Sequence, residues 1–98
     1  MRYKNFIWDE EKEVFNIQKH GVTFIEGASV FDDNNAIYIY DKDHSIDEDR
    51  YIVIGFSEAY NLLLVCHCYK NSDKLIRIFS ARKPTKQEEK LYGRNNKL

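Results

Sequence analysis

Residues 62–92, LLLVCHCYKNSDKLIRIFSARKPTKQEEKLY, decide how this chain folds. The run from 62 to 69 has strand length and strand composition, apolar, branched and aromatic. Asn71-Ser72-Asp73 is turn chemistry, because short polar side chains bond their own backbone and tolerate left-handed conformations. A second strand follows over 75–80. Pro84 or Thr85 then opens a helix, with Thr85 and Glu88 at capping-box spacing and Gly93 as its stop. The stretch reads as a hairpin followed by a helix.

The hairpin also carries chemistry. A three-residue loop centred on Ser72 sets His67 opposite Arg77, with Cβ atoms about 4.5–5.5 Å apart. Cys66, Cys68, Ile76 and Ile78 then share the other, more apolar face, as in an antiparallel sheet covered on one side. An imidazole moves protons near neutral pH, and guanidinium groups hold phosphate in a fixed fork. Phosphodiester chemistry needs a group that moves a proton and fixed cations that hold the phosphate. His67, Arg77 and Arg82 are therefore the candidate catalytic groups, and the arginines would favour the neutral imidazole. Arg50, Lys19, His20 and Lys83 are candidate substrate-binding cations. Tyr69 and Tyr92 are candidates for stacking on a base. Lys19-His20-Gly21 also fits a plain helix C-cap, Trp8 and Tyr92 fit core anchors, and Arg82 and Lys83 fit partner docking or solvated charge.

Working outward, 3–8 is a short aromatic strand. Asp9 is an N-cap with Glu10 and Glu11 in the first turn, and Val14, Phe15, Ile17 and Gln18 follow at helical spacing up to Gly21. Thr23 and Glu26 open a second helix whose Phe24, Ala28 and Phe31 face the core. Strands over 36–40 and 50–56 flank an acidic loop over 41–49. The order β-α-α-β-β-β-β-α implies an α+β domain spanning 1–98, an antiparallel meander with helices on one face.

The 98 residues carry a net charge of −1 that hides a polarity. Residues 1–49 hold twelve acids and five bases, a balance of −7, whereas 50–98 hold ten bases and four acids, a balance of +6. The basic half suits a polyanion or an acidic partner, unless folding mixes the charges in space. No signal peptide or transmembrane run is read, and Cys66 and Cys68 sit too close on one strand to bridge, so a reducing cytoplasmic setting is expected. Cys66-His67-Cys68 is not a metal site, since strand alternation sends His67 away from both thiols and no second ligand pair exists. No cofactor motif appears.

Motifs in order along the chain resemble the BrnT toxin family. They are Phe6-Ile7-Trp8-Asp9, Asn16 with Lys19-His20-Gly21-Val22 and Phe24, Glu26 leading to Phe31, Asp49-Arg50 before Ile54-Gly55, and Leu64-Val65 before His67 and Tyr69. Arg77-Ile78, Ser80-Ala81-Arg82-Lys83, Glu88 or Glu89, and Tyr92 complete the set. Cys68, Lys70, Phe79 and Pro84 depart from the family's usual residues. The resemblance implies a RelE-like fold and an RNA-cleaving toxin of a type II toxin–antitoxin system. It also implies a BrnA-type antitoxin partner, with operator DNA bound only through that antitoxin. Two other readings compete, a noncatalytic RNA- or partner-binding module and a degenerate toxin kept within a repressor complex.

Overall fold

Local rules set the helices. In the computed structural model, which describes residues 1–95, the Asp9 carboxylate accepts the Glu11 amide at 2.8 Å and starts α1, Glu10–His20. Gly21 closes α1 at φ 69°, a left-handed conformation, its N–H bonding the Ile17 carbonyl at 2.8 Å. Thr23 caps α2, Phe24–Ser29, through the Glu26 amide at 3.1 Å. Thr85 and Glu88 cap each other reciprocally at the start of α3, Lys86–Asn95. Gly93 lies inside α3 rather than ending it. Of the tail expected to fray over 94–98, the last three residues lie outside the described residues.

The strands form one six-stranded sheet in the order β1-β2-β6-β5-β4-β3. They are β1 Arg2–Tyr3, β2 Phe6–Ile7, β3 Ile37–Tyr40, β4 Tyr51–Phe56, β5 Leu62–Lys70 and β6 Leu75–Arg82. From β3 to β6 the sheet is the expected antiparallel meander. The sheet as a whole is mixed, however: the N-terminal aromatic segment folds as a two-strand hairpin, and β2 joins β6 in parallel. Part of the acidic loop winds into a 3₁₀ turn over Lys42–His44.

Helices cover both faces, which corrects the one-face expectation. On the first face Phe24 and Ala28 of α2 join Phe6, Trp8, Val53, Val65, Ile78 and Ala81 in the main core. Gly27 allows that close approach, since a Cβ there would stand 3.1 Å from the Ala81 Cβ. On the second face Tyr92 of α3 packs against Ile37, Ile54 and Leu64, and its hydroxyl donates to the Asp33 carboxylate at 2.8 Å.

α1 reverses its expected polarity. Val14, Phe15 and Ile17 are exposed, and Asn16 is its buried residue. The Asn16 amide donates to the Val22 and Ala81 carbonyls, both at 2.9 Å, and its oxygen accepts the Ala81 amide at 3.1 Å. Glu13 adds a second tie, accepting from the Trp8 indole at 3.2 Å and the Phe24 amide at 2.9 Å. Polar bonds rather than an apolar stripe therefore hold α1 beside β6.

Candidate active site

The β5–β6 hairpin does not use the three-residue loop. Asn71, Ser72 and Asp73 all take positive φ, at 53°, 54° and 67°, and Lys74 completes a four-residue turn. Lys70 therefore pairs with Leu75, Cys68 with Arg77 and His67 with Ile78. The one-residue difference exchanges every side chain's face. His67 joins Ile78 in the interior, and Arg77 lies across from Cys68 on the other face. Further along, a bulge resets the pairing to Cys66 with Ser80 and Leu64 with Arg82, leaving Phe79 without a cross-strand partner.

That bulge gathers cations. The Arg50 guanidinium lies 4.0 Å from the Phe79 ring centroid, Lys12 of α1 lies 5.6 Å away and Arg77 5.8 Å away. Arg50 immediately precedes β4 and shares the face of Cys68 and Arg77 by strand alternation. Glu48 holds both Arg50, at 3.8 Å, and Lys70, and the Lys70 hydrogen bond keeps its carboxyl below the usual range. Between α1 and the exposed edge of β6 runs a cleft of about 510 Å³, whose lining includes Lys12, Lys19, His20, Phe79 and Arg82 together with the acid Glu11. Arg82 is locked in place by Glu88, which accepts its Nη1 at 2.8 Å and its Nη2 at 3.1 Å. The fork pulls the Glu88 carboxyl down to about 2 and raises the Arg82 guanidinium further. Glu88 also accepts the Thr85 amide at 2.8 Å, so the cap of α3 and the position of Arg82 are one structure. A ring ringed by cations at a sheet edge can stack a base and hold the adjoining phosphates.

The family described as the ribonuclease toxin BrnT of type II toxin–antitoxin systems matches residues 8–88. The chain belongs to the BrnT family. Its members are ribonuclease toxins, so an RNA substrate and an antitoxin partner follow from membership. A crystal structure of the Brucella abortus ribonuclease toxin BrnT is similar in fold, with a TM-score of 0.64 and 24% identity over 83% of this chain and 96% of that one. No curated protein matches the chain. Among the described residues, no helix is long and apolar enough to cross a membrane.

The structure sorts the predicted residues of this BrnT-family chain into two groups. Lys19, His20 and Arg82 line the cleft, while Arg50 and Arg77 flank Phe79 beside it. Lys83 is exposed next to them, its carbonyl accepting Arg82 Nη1 at 3.1 Å. His67 is elsewhere. It is fully buried, with Nδ1 bonded to the Val65 carbonyl at 3.1 Å and Nε2 to the Tyr69 hydroxyl at 3.3 Å. Burial, not a nearby arginine, lowers its pKa. Tyr69 stands with it on the helix-covered face, and Tyr92 anchors α3. Trp8 is a core anchor at 4% exposure.

The sequence reading passed over Lys12, Phe79 and Glu88 as site residues. The signal for Phe79 was present, as an aromatic residue between Arg77 and Arg82. The bulge that turns it toward the cations was not encoded by any local motif.

Proposed function

We propose that this chain is an endoribonuclease that cuts RNA without a metal in the cleft between α1 and β6, and that a BrnA-type antitoxin silences it by covering that cleft. The observation that carries this reading is the clustering of Arg50, Arg77 and Lys12 around Phe79, beside an Arg82 fixed by Glu88. Arg77 and Arg82 clamp the scissile phosphate and stabilise the charge that builds on the phosphorane. Phe79 stacks a neighbouring base. Arg50, Lys19 and Lys83 follow the backbone on either side.

The 2′-oxygen attacks the adjacent phosphorus, the 5′-oxygen leaves, and a proton passes from the first to the second. His20 is the imidazole that lines the cleft and is the group we assign to that transfer. His67 acts through structure, shaping the β5–β6 pairing beneath the arginines. Lys12, Lys19 and Arg82 in the lining, with Arg50 and Arg77 beside it, supply positive charge of the kind a metal otherwise brings, which supports the metal-independent reading.

The exposed Phe15 lines the cleft from α1, and the exposed Val14 and Ile17 continue apolar ground around the outer face of the same helix. An antitoxin segment combining acidic and apolar side chains fits that surface, and contact with operator DNA is then made through the antitoxin. The β3–β6 meander after two helices supports a RelE-like reading of the scaffold, working in the cytoplasm.

Expression in a bacterial host tests the proposal. The wild-type chain should arrest growth, and Arg77→Ala and Arg82→Ala variants that retain the wild-type circular dichroism should not. Arrest by both folded variants would overturn the site.

A further inference from the structure

The first sheet face is not covered along its whole length. Beyond α2, the rings of Tyr38, Tyr51 and Tyr69 stand around an open basin of about 360 Å³, with Asp73 on its rim. Each ring meets the buried His67 imidazole beneath, at 6.2, 6.2 and 5.3 Å between centroids, and burial disfavours the charged form of that floor. Tyr51 and Tyr69 also meet edge to face at 5.6 Å, which fixes one wall. Tyr38 is half exposed. These rings are therefore available to a ligand and held at set angles to one another.

The electrostatics select the ligand. Aromatic faces carry negative quadrupole density, and a carboxylate at the rim adds a full negative charge. After burial, the charges of Asp33 and Asp32 are what raise the Tyr38 hydroxyl pKa, and Asp73 contributes in the same sense at Tyr69. No basic side chain among the described residues lines the basin. A nucleic acid would bring phosphates against these acids, while its natural ground is the cationic cleft on the far side of β6. A cation with a flat, weakly hydrated face fits rings and acid together.

We infer that the Tyr38–Tyr51–Tyr69 basin with Asp73 at its rim receives an arginine side chain of a partner polypeptide. The guanidinium lies against the tyrosine faces and its N–H groups reach the Asp73 carboxylate. This contact is separate from the cleft, so it anchors a partner without using the RNA-binding cations. It does not depend on the cleft being catalytic.

The test is an NMR titration of the full chain carrying ring-labelled tyrosine, using N-acetyl-arginine amide as the probe. The neutral isostere N-acetyl-citrulline amide and uridine monophosphate serve as comparisons. The arginine compound should shift the Tyr38, Tyr51 and Tyr69 signals saturably, leave Tyr3 and Tyr60 in place, and bind more tightly than citrulline. Asp73→Asn should weaken it by about threefold to tenfold. Asparagine tolerates the positive φ of 67° at that position, so this variant keeps the turn. Tyr38→Ala should weaken it by a similar factor. Equal shifts with citrulline, stronger binding of the nucleotide at the same rings, or shifts spread evenly over all tyrosines would overturn the inference.

Discussion

Arg82 is only as useful as the carboxylate that aims it. Glu88 bonds both of its terminal nitrogens and the Thr85 amide, so Glu88→Gln should leave α3 in place but loosen the guanidinium. We expect RNA cleavage to fall by about tenfold to hundredfold, read as kcat. The pair also sets acid stability. The Glu88 carboxyl ionises near 2 when folded, against an ordinary value of 4.5. Its contribution is therefore full above about pH 4.5 and is lost as pH falls toward 2, and the Glu88→Gln chain should lack that part of the acid transition in urea melts.

His67 shows the opposite case, a residue whose type suggested chemistry and whose place is the core. His67→Ala should cost about 2–4 kcal/mol of stability, measured by denaturant unfolding. Its pKa lies below 6.5 when folded because burial disfavours the cation. The unfolded chain thus takes up a proton first, and folded stability should decline as pH drops below about 6.5, a slope that His67→Leu removes. The sequence could not reveal this, because β5 is buried on both faces around Leu63, Leu64 and Val65. Polar alternation then gives no parity signal to fix the register.

At the scale of elements, caps were the most legible features. Asp9, Thr23 and the Thr85–Glu88 pair act through neighbours two or three residues away, so spacing alone reveals them. The β4–β5–β6 part of the meander was legible for the same reason, since short turns join those strands. What depends on distant partners was not. The parallel pairing of β2 with β6 joins segments about seventy residues apart, at Phe6–Ile76 and Ile7–Arg77. The four-residue turn rests on three consecutive left-handed residues, which composition permits but does not count. The polarity of α1 inverted because Asn16 forms three buried bonds that outweigh its apolar neighbours. Asn16→Ala should therefore destabilise the fold by about 2–4 kcal/mol, whereas Val14→Ser on the outer face should change Tm little. Thermal melts of both variants check this.

Across the whole molecule, folding mixes the acidic and basic halves of the sequence and sorts their charges anew. Cations from both halves, Lys12, Lys19, Arg50, Arg77 and Arg82, meet at α1 and β6. Acids of the loops and turns collect elsewhere, around the tyrosine basin and the loop beside β4. Binding of RNA to the cleft and the flanking Arg50 and Arg77 should weaken steeply as salt rises, and Lys19→Ala should flatten that salt slope by about one phosphate contact. Fluorescence anisotropy with a labelled RNA at several salt concentrations reads both effects. The family and the nature of its substrate were legible from ordered motifs, but the cleft was not, since it exists only once β6 bulges beside α1.

The most direct test is cleavage of an end-labelled RNA by the purified chain in EDTA, comparing wild type with Arg77→Ala. The account predicts cleavage by the wild type and a loss of about 10²–10³ in rate for the folded variant. Loss of wild-type cleavage in EDTA with recovery on adding a divalent cation, or an Arg77→Ala chain that cuts at the wild-type rate, would contradict it.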